Sequence, residues 1–423
     1  MKRANLILMA ALAAAGLTFV TGALVAPAVA VAADNQKIGK KIATPLRAAQ
    51  DAIAAKNWDE ASARLAEAAA VEPKTPYEAF MVDELGWFVS LQKKDYQGAV
   101  DALARAVASG FYSPEDLPRR YKALAQLNYE LKQYPKTVEY GKKAIELAPA
   151  SDDMKTLVAM SMYLSNDFAG ARSFSEQAAA GMAKPSEQLL QINLRCNYEL
   201  NDRAGTMRSL EALIRHYPAQ KYWNDLLTNQ LYETKSDRDL RALYRLMVDT
   251  NSLAKPEEYS EMATTLMTGG FPNEARTILE RGLAANAFKG DSLTRAQAEL
   301  QRARAGADAD RKDLPGADAA LAAAKTGNEM VALGKLFFSS AEYAKALDAF
   351  RKGLAKGGVT DADDANALLG IALHRSDSGT EAIEAFGRIK DPKLAEIGRL
   401  WKLHIETSGQ AAAAPAPAPA PAG

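Results

Sequence analysis

Small and aromatic residues recur along this chain in a fixed order. In KNWDEASARLAEAAAVEP, residues 56 to 73, a tryptophan is followed after two residues by an alanine, and the same order returns in DYQGAVDAL, DFAGARSF and EYAKALDAF. We call the residue at the position of this alanine in each repeat the marker. The markers are Ala61, Ala99, Thr137, Ala171, Thr206, Leu240, Ala275, Ala346 and Ala382. Successive markers are 34 to 38 residues apart, except across one gap of 71, so the sequence predicts a repeat with one degenerate unit near residues 310 to 314.

Other small residues keep a constant offset from the marker. Twelve positions before it are Ala49, Ala125, Ala159, Ala263, Gly334 and Gly370. Seven positions after it are Ala68, Ala106, Ala144, Ala178, Gly282 and Gly353. Twelve positions after it are Pro73, Pro149 and Pro218, which are predicted to end a helix. Small side chains at such offsets let two antiparallel helices approach closely, while the aromatic fills the space beside the turn. Each repeat therefore predicts one helix pair, and the residues of the motif serve to pack its two helices together.

This pattern resembles the tetratricopeptide repeat family. LGKLF from Leu333 and LGIAL from Leu369 resemble its first helix, and AKALDAF and EAIEAF resemble its second. The resemblance covers residues 42 to about 390 and implies an all-α fold, a right-handed superhelical solenoid of about ten such helix pairs with a concave groove. The segment from Arg295, RAQAELQRARAGADADRKDLPGADAAL, is too polar for a standard unit, which places the degenerate unit at about 290–326.

The two ends of the chain differ in composition from the repeats. Residues 1–33 begin with Lys2 and Arg3, continue as an apolar run and end in small residues, as a secretory signal peptide cleaved after Ala33 does. The alternative is an uncleaved membrane anchor, because the uncharged run is long enough to span a bilayer. The solenoid is predicted at 34–408, with a closing helix at 391–407 that Asp391 caps. The Ala/Pro-rich residues 409–423 predict a disordered or polyproline-like tail, either with a role as a tether or spacer or merely solubilising.

Export and composition narrow the classes of function. Cleavage of the signal peptide predicts a bacterial periplasmic protein without stable membrane insertion. The formal charge is +0, so no bulk electrostatic attraction favours nucleic acid. The single cysteine, Cys196, cannot form an internal disulfide, and we expect it to be a small buried residue in a helix contact rather than a nucleophile.

Signatures of catalysis are absent from the sequence. It contains no G-x-S-x-G, G-x-x-x-x-G-K-[ST], H-E-x-x-H, G-x-G-x-x-G or C-x-x-C. His216, His374 and His404 fall in different units, so we expect no metal cluster and interpret each as a surface or helix-end residue. The basic stretch PRRYK from Pro118 is interpreted as a solvated face. The sequence thus predicts no enzyme, no cofactor and no metal site.

A tyrosine series eight positions before the marker is the candidate binding surface. It comprises Tyr129, Tyr163, Tyr198 and Tyr232, continued by Phe338 and His374. Equal spacing in a stacked array predicts one row along the first helices, on the side that the family resemblance assigns to the groove. The alternative is packing between neighbouring units. Polar residues that accompany the row are Glu130, Arg195, Glu199, Asn229 and Glu233. Aromatic faces edged with polar groups suit an extended peptide.

A narrower resemblance concerns biological context. ALAQLNYELKQYPKTVEYGKKAI, TLMTGGFPNEARTILERGL and above all GGVTDADDANALLGIAL resemble exported tetratricopeptide proteins associated with bacterial TonB-type energy-transduction systems. This resemblance implies a periplasmic scaffold that binds other envelope proteins in its groove. The alternative function is a glycan-binding or cell-wall-associated helical solenoid, since aromatic rows also bind sugars.

Overall fold

The computed structural model of the protein describes residues 37–148 and 152–411, with side chains through Ser408. Within these ranges the chain is all-α, with twenty helices and no strand. Three sequence predictions lie outside the described residues: the signal peptide at 1–33, the helix end at Pro149, and the tail from residue 412 onward.

The helices follow one another with short connections. They are α1 (Lys40–Ala54), α2 (Trp58–Ala70), α3 (Pro76–Gln92), α4 (Tyr96–Ala108), α5 (Leu117–Glu130), α6 (Tyr134–Leu147), α7 (Asp152–Leu164), α8 (Phe168–Ala180), α9 (Glu187–Glu199), α10 (Arg203–His216), α11 (Gln220–Glu233), α12 (Asp237–Asp249), α13 (Pro256–Thr268), α14 (Pro272–Ala284), α15 (Asp291–Ala323), α16 (Gly327–Ser339), α17 (Tyr343–Lys356), α18 (Ala362–His374), α19 (Gly379–Gly387) and α20 (Pro392–Ala411).

The turn inside each helix pair has a recurrent backbone geometry. Five positions before the marker, a residue with positive φ ends the first helix: Lys56, Lys94, Lys132, Asn166, Asn201, Gly270, Ala341 and Asp377. The next residue often caps the second helix, as when Asp95 accepts a hydrogen bond from the Gly98 amide at 3.0 Å and Asp202 from the Gly205 amide at 2.8 Å. A left-handed residue followed by an N-cap reverses the chain within a few residues. The pair α11–α12 lacks this left-handed residue, so its turn differs from the others.

Burial confirms the register of the repeat. All nine markers are buried, the most exposed being Leu240 at 6%. The small residues twelve positions earlier are buried as well, and at Gly334 an added Cβ would lie 2.7 Å from the Phe350 ring. A Cβ on Gly370 would lie 2.9 Å from the Phe386 ring. The small residues therefore permit close helix contact, as the spacing predicts.

The all-α solenoid is confirmed, with two corrections to its units. Eighteen of the described helices form nine successive pairs rather than about ten, and α15 and α20 stand outside them. The degenerate unit predicted at 290–326 is not a helix pair: α15 continues as one helix of 33 residues through Pro315. This segment has no aromatic residue to fill a turn, and α15 buries only a narrow stripe of small and leucine side chains, so nothing there holds a second antiparallel helix.

Contacts divide the chain into two compact units, with the boundary after Ser175, inside α8. In the first unit, the described helices contact helices of their own pair or of the adjacent pair. Its apolar core comprises separate clusters, one around Ile42, Leu46 and Phe80 and another around Trp87, Leu103 and Leu124. In this unit the repeats therefore contact only their neighbours, as in a regular solenoid.

In the second unit, contacts extend beyond neighbouring repeats. The helix α20 packs not only on α19 but also on α10, α12 and α18, and α12 contacts α18. The indole of Trp401 is fully buried, and its Nε1 donates to the carbonyl oxygen of Ala242 in α12 at 3.1 Å. Nearly every residue of α12 from Asp239 to Met247 is buried, so this helix needs packing partners on all its sides. One continuous apolar core therefore runs from Leu190 to Leu403.

The closing helix begins as the sequence predicts. Asp391 Oδ1 accepts hydrogen bonds from the amides of Lys393 at 3.1 Å and Leu394 at 2.9 Å, as an N-cap does. The helix ends at Ala411 instead of residue 407, so the first residues of the segment predicted as a tail at 409–423 are helical. Because α20 packs on α10 and α12 as well as on α19, it joins early and late helices of the second unit and does not merely cover the last pair. In this sense α20 closes the second unit.

Candidate functional site

The tyrosines of the predicted row have two different environments. In the first unit, the Tyr129 and Tyr163 side chains are half-buried. Their ring centroids lie 5.8 Å and 5.3 Å from those of Tyr134 and Phe168, each of which begins the next helix. In the second unit, Tyr198 and Tyr232 are 46% and 69% exposed, although both are large aromatic residues.

The residue five positions later explains this difference. Tyr129 and Tyr163 have an aromatic there, and so does Phe338, whose buried ring lies 5.6 Å from that of Tyr343. After Tyr198 the corresponding residue is Arg203, and after Tyr232 it is Asp237. Neither offers an aromatic face, so the two tyrosines project from the ends of α9 and α11. This signal was present in the sequence and separates the exposed from the packed tyrosines of the row.

Polar side chains accompany the two exposed tyrosines. Arg203 Nη2 donates to the carbonyl oxygen of Asn229 at 2.8 Å, and its guanidinium also pairs with Glu233. Partial burial and the nearby Asp225 carboxylate raise the pKa of Tyr198 above its ordinary value. We call the residues Tyr198, Glu199, Asn229, Tyr232 and Glu233 the tyrosine surface.

A cleft of about 620 Å³ lies in the second unit and shares Glu233 with the tyrosine surface. Residues from α10, α11 and α12 that line it include Arg203, Met207, Arg208, Gln230, Glu233 and Asp239. Residues from α20 that line it are Lys393, Glu396, Ile397 and Arg399. The repeat spacing does not predict that α20 lies at this site, because the contact joins segments almost two hundred residues apart.

Charges of both signs line the cleft. Arg399 pairs with Glu211, and Arg203 pairs with Glu233. Within the described part of the chain, no ion pair is found for Arg208 or for the Lys393 ammonium, and both residues are exposed. The cleft therefore offers two cations to an incoming ligand besides the paired groups.

One arginine joins three segments at the edge of this cleft. Arg238 Nε donates to Asp239 at 2.9 Å, and its other nitrogens lie 3.4 Å from Asp361 and 3.2 Å from Asp391. Burial raises the pKa of Asp239, against the lowering by Arg238. Burial alone would lower the pKa of Arg238, but the three carboxylates raise it. The cluster ties the start of α12 to the segments before α18 and α20.

The basic stretch at Pro118 is not a uniformly solvated face, which corrects the sequence interpretation. Arg119 is exposed, but Arg120 is largely buried and donates to the buried Glu84 carboxylate at 2.7 Å. Its guanidinium also lies 4.8 Å from the Tyr112 ring centroid and 5.4 Å from that of Trp87. Arg120 thus holds α5 against α3 in the first unit.

Two of the three histidines meet, contrary to the expectation from their positions in different units. The ring centroids of His374 and His404 are 5.3 Å apart, because α20 lies against α18. His216 is outside this group, at the end of α10. Cys196 is buried in α9 and forms no disulfide, as the sequence predicts.

The fold and this site define an all-α helical solenoid protein with an exposed aromatic and charged surface in its second unit. None of the described helices combines the length and the apolar composition that crossing a bilayer requires.

Comparisons with solved structures give distant matches. No protein-family model and no curated protein matches the chain. YrrB, described as a TPR protein with an unusual peptide-binding site, is 14% identical over 42% of this chain and 87% of its own, with a TM-score of 0.32. A tetratricopeptide repeat protein from Parabacteroides merdae is 13% identical over 79% of this chain and 100% of its own, with a TM-score of 0.31.

A third structure, Naa15/Naa10 bound to HypK-THB, is 15% identical over 84% of this chain and 59% of the matched chain, with a TM-score of 0.42. At these identities and TM-scores the alignments carry no argument about family membership or function. The narrower resemblance to TonB-associated proteins finds no support among these matches.

Proposed function

We propose that the protein is a protein-binding scaffold that captures an extended segment of a partner on the tyrosine surface and the adjoining cleft. The observation that carries this proposal is the exposure of Tyr198 and Tyr232 on successive first helices. Aromatic residues dominate the energetics of binding interfaces because their large faces exclude water from the contact.

The polar groups of the surface favour a peptide as the occupant. Asn229, with its amide and carbonyl groups, and the carboxylates of Glu199 and Glu233 can pair with the backbone and polar side chains of an extended chain. Exposed Arg208 and Lys393 then supply cations for acidic side chains of that segment. An extended, proline-rich segment fits best, because it is already stiff and loses little conformational entropy on binding.

The periplasm and an envelope partner are the finer parts of the proposal. They rest on the signal-like residues 1–33 and on the sequence resemblance to exported proteins of TonB-type systems. In this proposal, the partner is an envelope protein with an extended periplasmic stretch, and the chain itself carries no enzymatic activity. Intact mass of the exported protein tests this location: a chain that begins at Asp34 is expected, whereas a chain retaining Met1 in the membrane fraction contradicts it.

The binding surface is tested by photocrosslinking and then by affinity. A photoreactive amino acid replaces Tyr232 in cells, and crosslinked partners are identified by mass spectrometry; the same amino acid at exposed Leu147, in the first unit, is the matched control. The captured segment is then synthesised and its affinity is measured by fluorescence anisotropy. Tyr198→Ala and Tyr232→Ala should each weaken binding by ~1 to 2 kcal/mol, about 5- to 30-fold.

Melting temperature separates binding from folding. Because both side chains are exposed, the two variants should melt as the wild type does, and Leu147→Ala should bind as the wild type does. Normal affinity in both folded tyrosine variants would place the binding surface elsewhere. Tyrosine-dependent binding of purified cell-wall glycan fragments, without binding of the peptide, would instead support the glycan-binding alternative.

A further inference from the structure

Three metal-ligating side chains converge where α12, α18 and α20 meet. Asp249 ends α12, His374 ends α18 and His404 lies in the middle of α20. One potential ligand atom from each lies within 4.8 Å of the other two, and His374 Nε2 is 3.9 Å from Asp249 Oδ2. All three residues are partly buried.

Neighbouring side chains hold these groups in place. The ring centroid of Trp401 lies 5.9 Å from that of His374 and 6.1 Å from that of His404, and the ring centroid of Trp223 lies 5.7 Å from that of His404. Arg375 Nη2 lies 3.5 Å from Asp249 Oδ1, on the oxygen that does not face His374. Carboxylates that bind metals are commonly held in orientation by a second polar group.

The charges around the cluster are compatible with a cation. Arg375 shares its positive charge with Glu274, whose Oε1 lies 3.5 Å from Nη1. Imidazole binds metals in its neutral form, so Asp249 would be the only charged ligand of the ion.

We propose that Asp249, His374 and His404 bind one divalent transition-metal ion such as Zn²⁺, with water in the fourth position. Two imidazoles and a carboxylate are common zinc ligands, with bond lengths of about 2.0 to 2.2 Å. Tetrahedral geometry then requires ligand atoms roughly 3.3 Å apart. His374 Nε2 and Asp249 Oδ2, which are 3.9 Å apart, need to approach by about 0.6 Å, and the remaining pairs, which lie within 4.8 Å, by at most about 1.5 Å.

The ion would connect three helices of the second unit. Since α20 is the helix that closes this unit, metal binding stabilises the closed arrangement of α12, α18 and α20 by the binding free energy. This role is independent of peptide capture, because the tyrosine surface contains none of the three ligands.

Metal binding is measured on the untagged, chelator-treated protein. Titration calorimetry with Zn²⁺ should give one site per chain, and Co²⁺ should produce the visible absorption of a tetrahedral site. The melting temperature should rise with Zn²⁺ and stay unchanged with Mg²⁺, which prefers oxygen ligands. His374→Gln and His404→Gln should each weaken Zn²⁺ binding at least about tenfold and abolish the thermal shift.

His216→Gln is the matched control, since it removes the histidine outside the cluster. This variant should bind Zn²⁺ as the wild type does. The proposal is overturned if the wild type binds no Zn²⁺, or if folded His374→Gln binds it unchanged. Circular dichroism establishes folding, and Asp249→Asn provides a second variant should His404→Gln not fold; unchanged binding by folded Asp249→Asn, with no shift in Co²⁺ absorption, overturns the assignment of that ligand.

Discussion

The two units use the same repeat but assemble it differently. In the first unit, described helices contact only their own or the adjacent pair, and the apolar core comprises separate clusters. In the second unit, α20 contacts α10, α12 and α18, and one core spans the whole unit. Markers are buried equally in both, so the repeat pattern itself does not decide which arrangement forms.

One helix after the last repeat accounts for the difference. Its Trp401 packs on Phe386 with ring centroids 5.7 Å apart and donates to the Ala242 carbonyl of α12. Polar pairs between Arg215 and Glu406, and between Arg399 and Glu211, flank this contact along α10. A single amphipathic helix thus converts neighbour-to-neighbour packing into a closed unit, because it buries surface of repeats that are distant in sequence.

The largest effect is expected from removing Trp401, which packs α20 on α12. Trp401→Ala should destabilise the protein by about 3 to 5 kcal/mol, since a fully buried indole is replaced by a cavity. Hydrogen exchange should accelerate in α10, α12 and α18 as well as in α20. Chemical denaturation followed by hydrogen-exchange mass spectrometry measures both effects.

Trp87→Ala is the matched change in the first unit. Trp87 is also buried and donates from its indole nitrogen, here to Glu84 at 2.8 Å. A similar loss of stability is expected, but with faster exchange confined to α3, α4 and α5. Exchange that spreads equally far in both variants would remove the distinction between the two units.

An intermediate effect is expected from enlarging the small residues of the repeat. Gly334→Leu or Gly370→Leu should cost about 1 to 3 kcal/mol, because the phenyl rings of Phe350 and Phe386 occupy the space for a side chain. Ala125→Leu tests the same offset in the first unit and should cost a comparable amount. Thermal melting measures all three variants.

Gly316→Ala is the control for these substitutions. Gly316 lies in α15 with no neighbouring atom within 4 Å of an added Cβ, so alanine should stabilise the helix by roughly 0.5 to 1 kcal/mol. Melting of Gly370→Leu at the wild-type temperature would mean that the register of the last pairs is wrong.

The smallest effect is expected from the ion pair between α10 and α20. A double-mutant cycle of Glu211→Gln and Arg399→Gln should give a coupling of about 0.2 to 1 kcal/mol, since Arg399 is half exposed. The coupling should decrease as salt is added, because exposed charges are screened. A coupling several times larger would show that charge, rather than the apolar face of α20, closes the second unit.

The candidate surface was predictable in part. Sequence spacing placed Tyr198 and Tyr232 at equivalent positions of successive repeats, but placed Tyr129 and Tyr163 in the same row. The exposure of each tyrosine depends on whether an aromatic ring five residues later covers it. This local rule separates Tyr129 and Tyr163 from Tyr198 and Tyr232. Whether any of the four binds a partner stays a prediction. The cleft beside Glu233 was not predictable, because one of its walls is α20.

The sequence by itself determined the helix pairs, their register and their caps. These features depend on residues within about one repeat of each other: a small side chain for close approach, a left-handed residue at the turn and a capping carboxylate. Tertiary structure alone decided that α20 packs on α12 and that His374 meets His404. Such contacts depend on the small rotations and translations from each repeat to the next, added over many repeats. No residue spacing within one repeat determines that total.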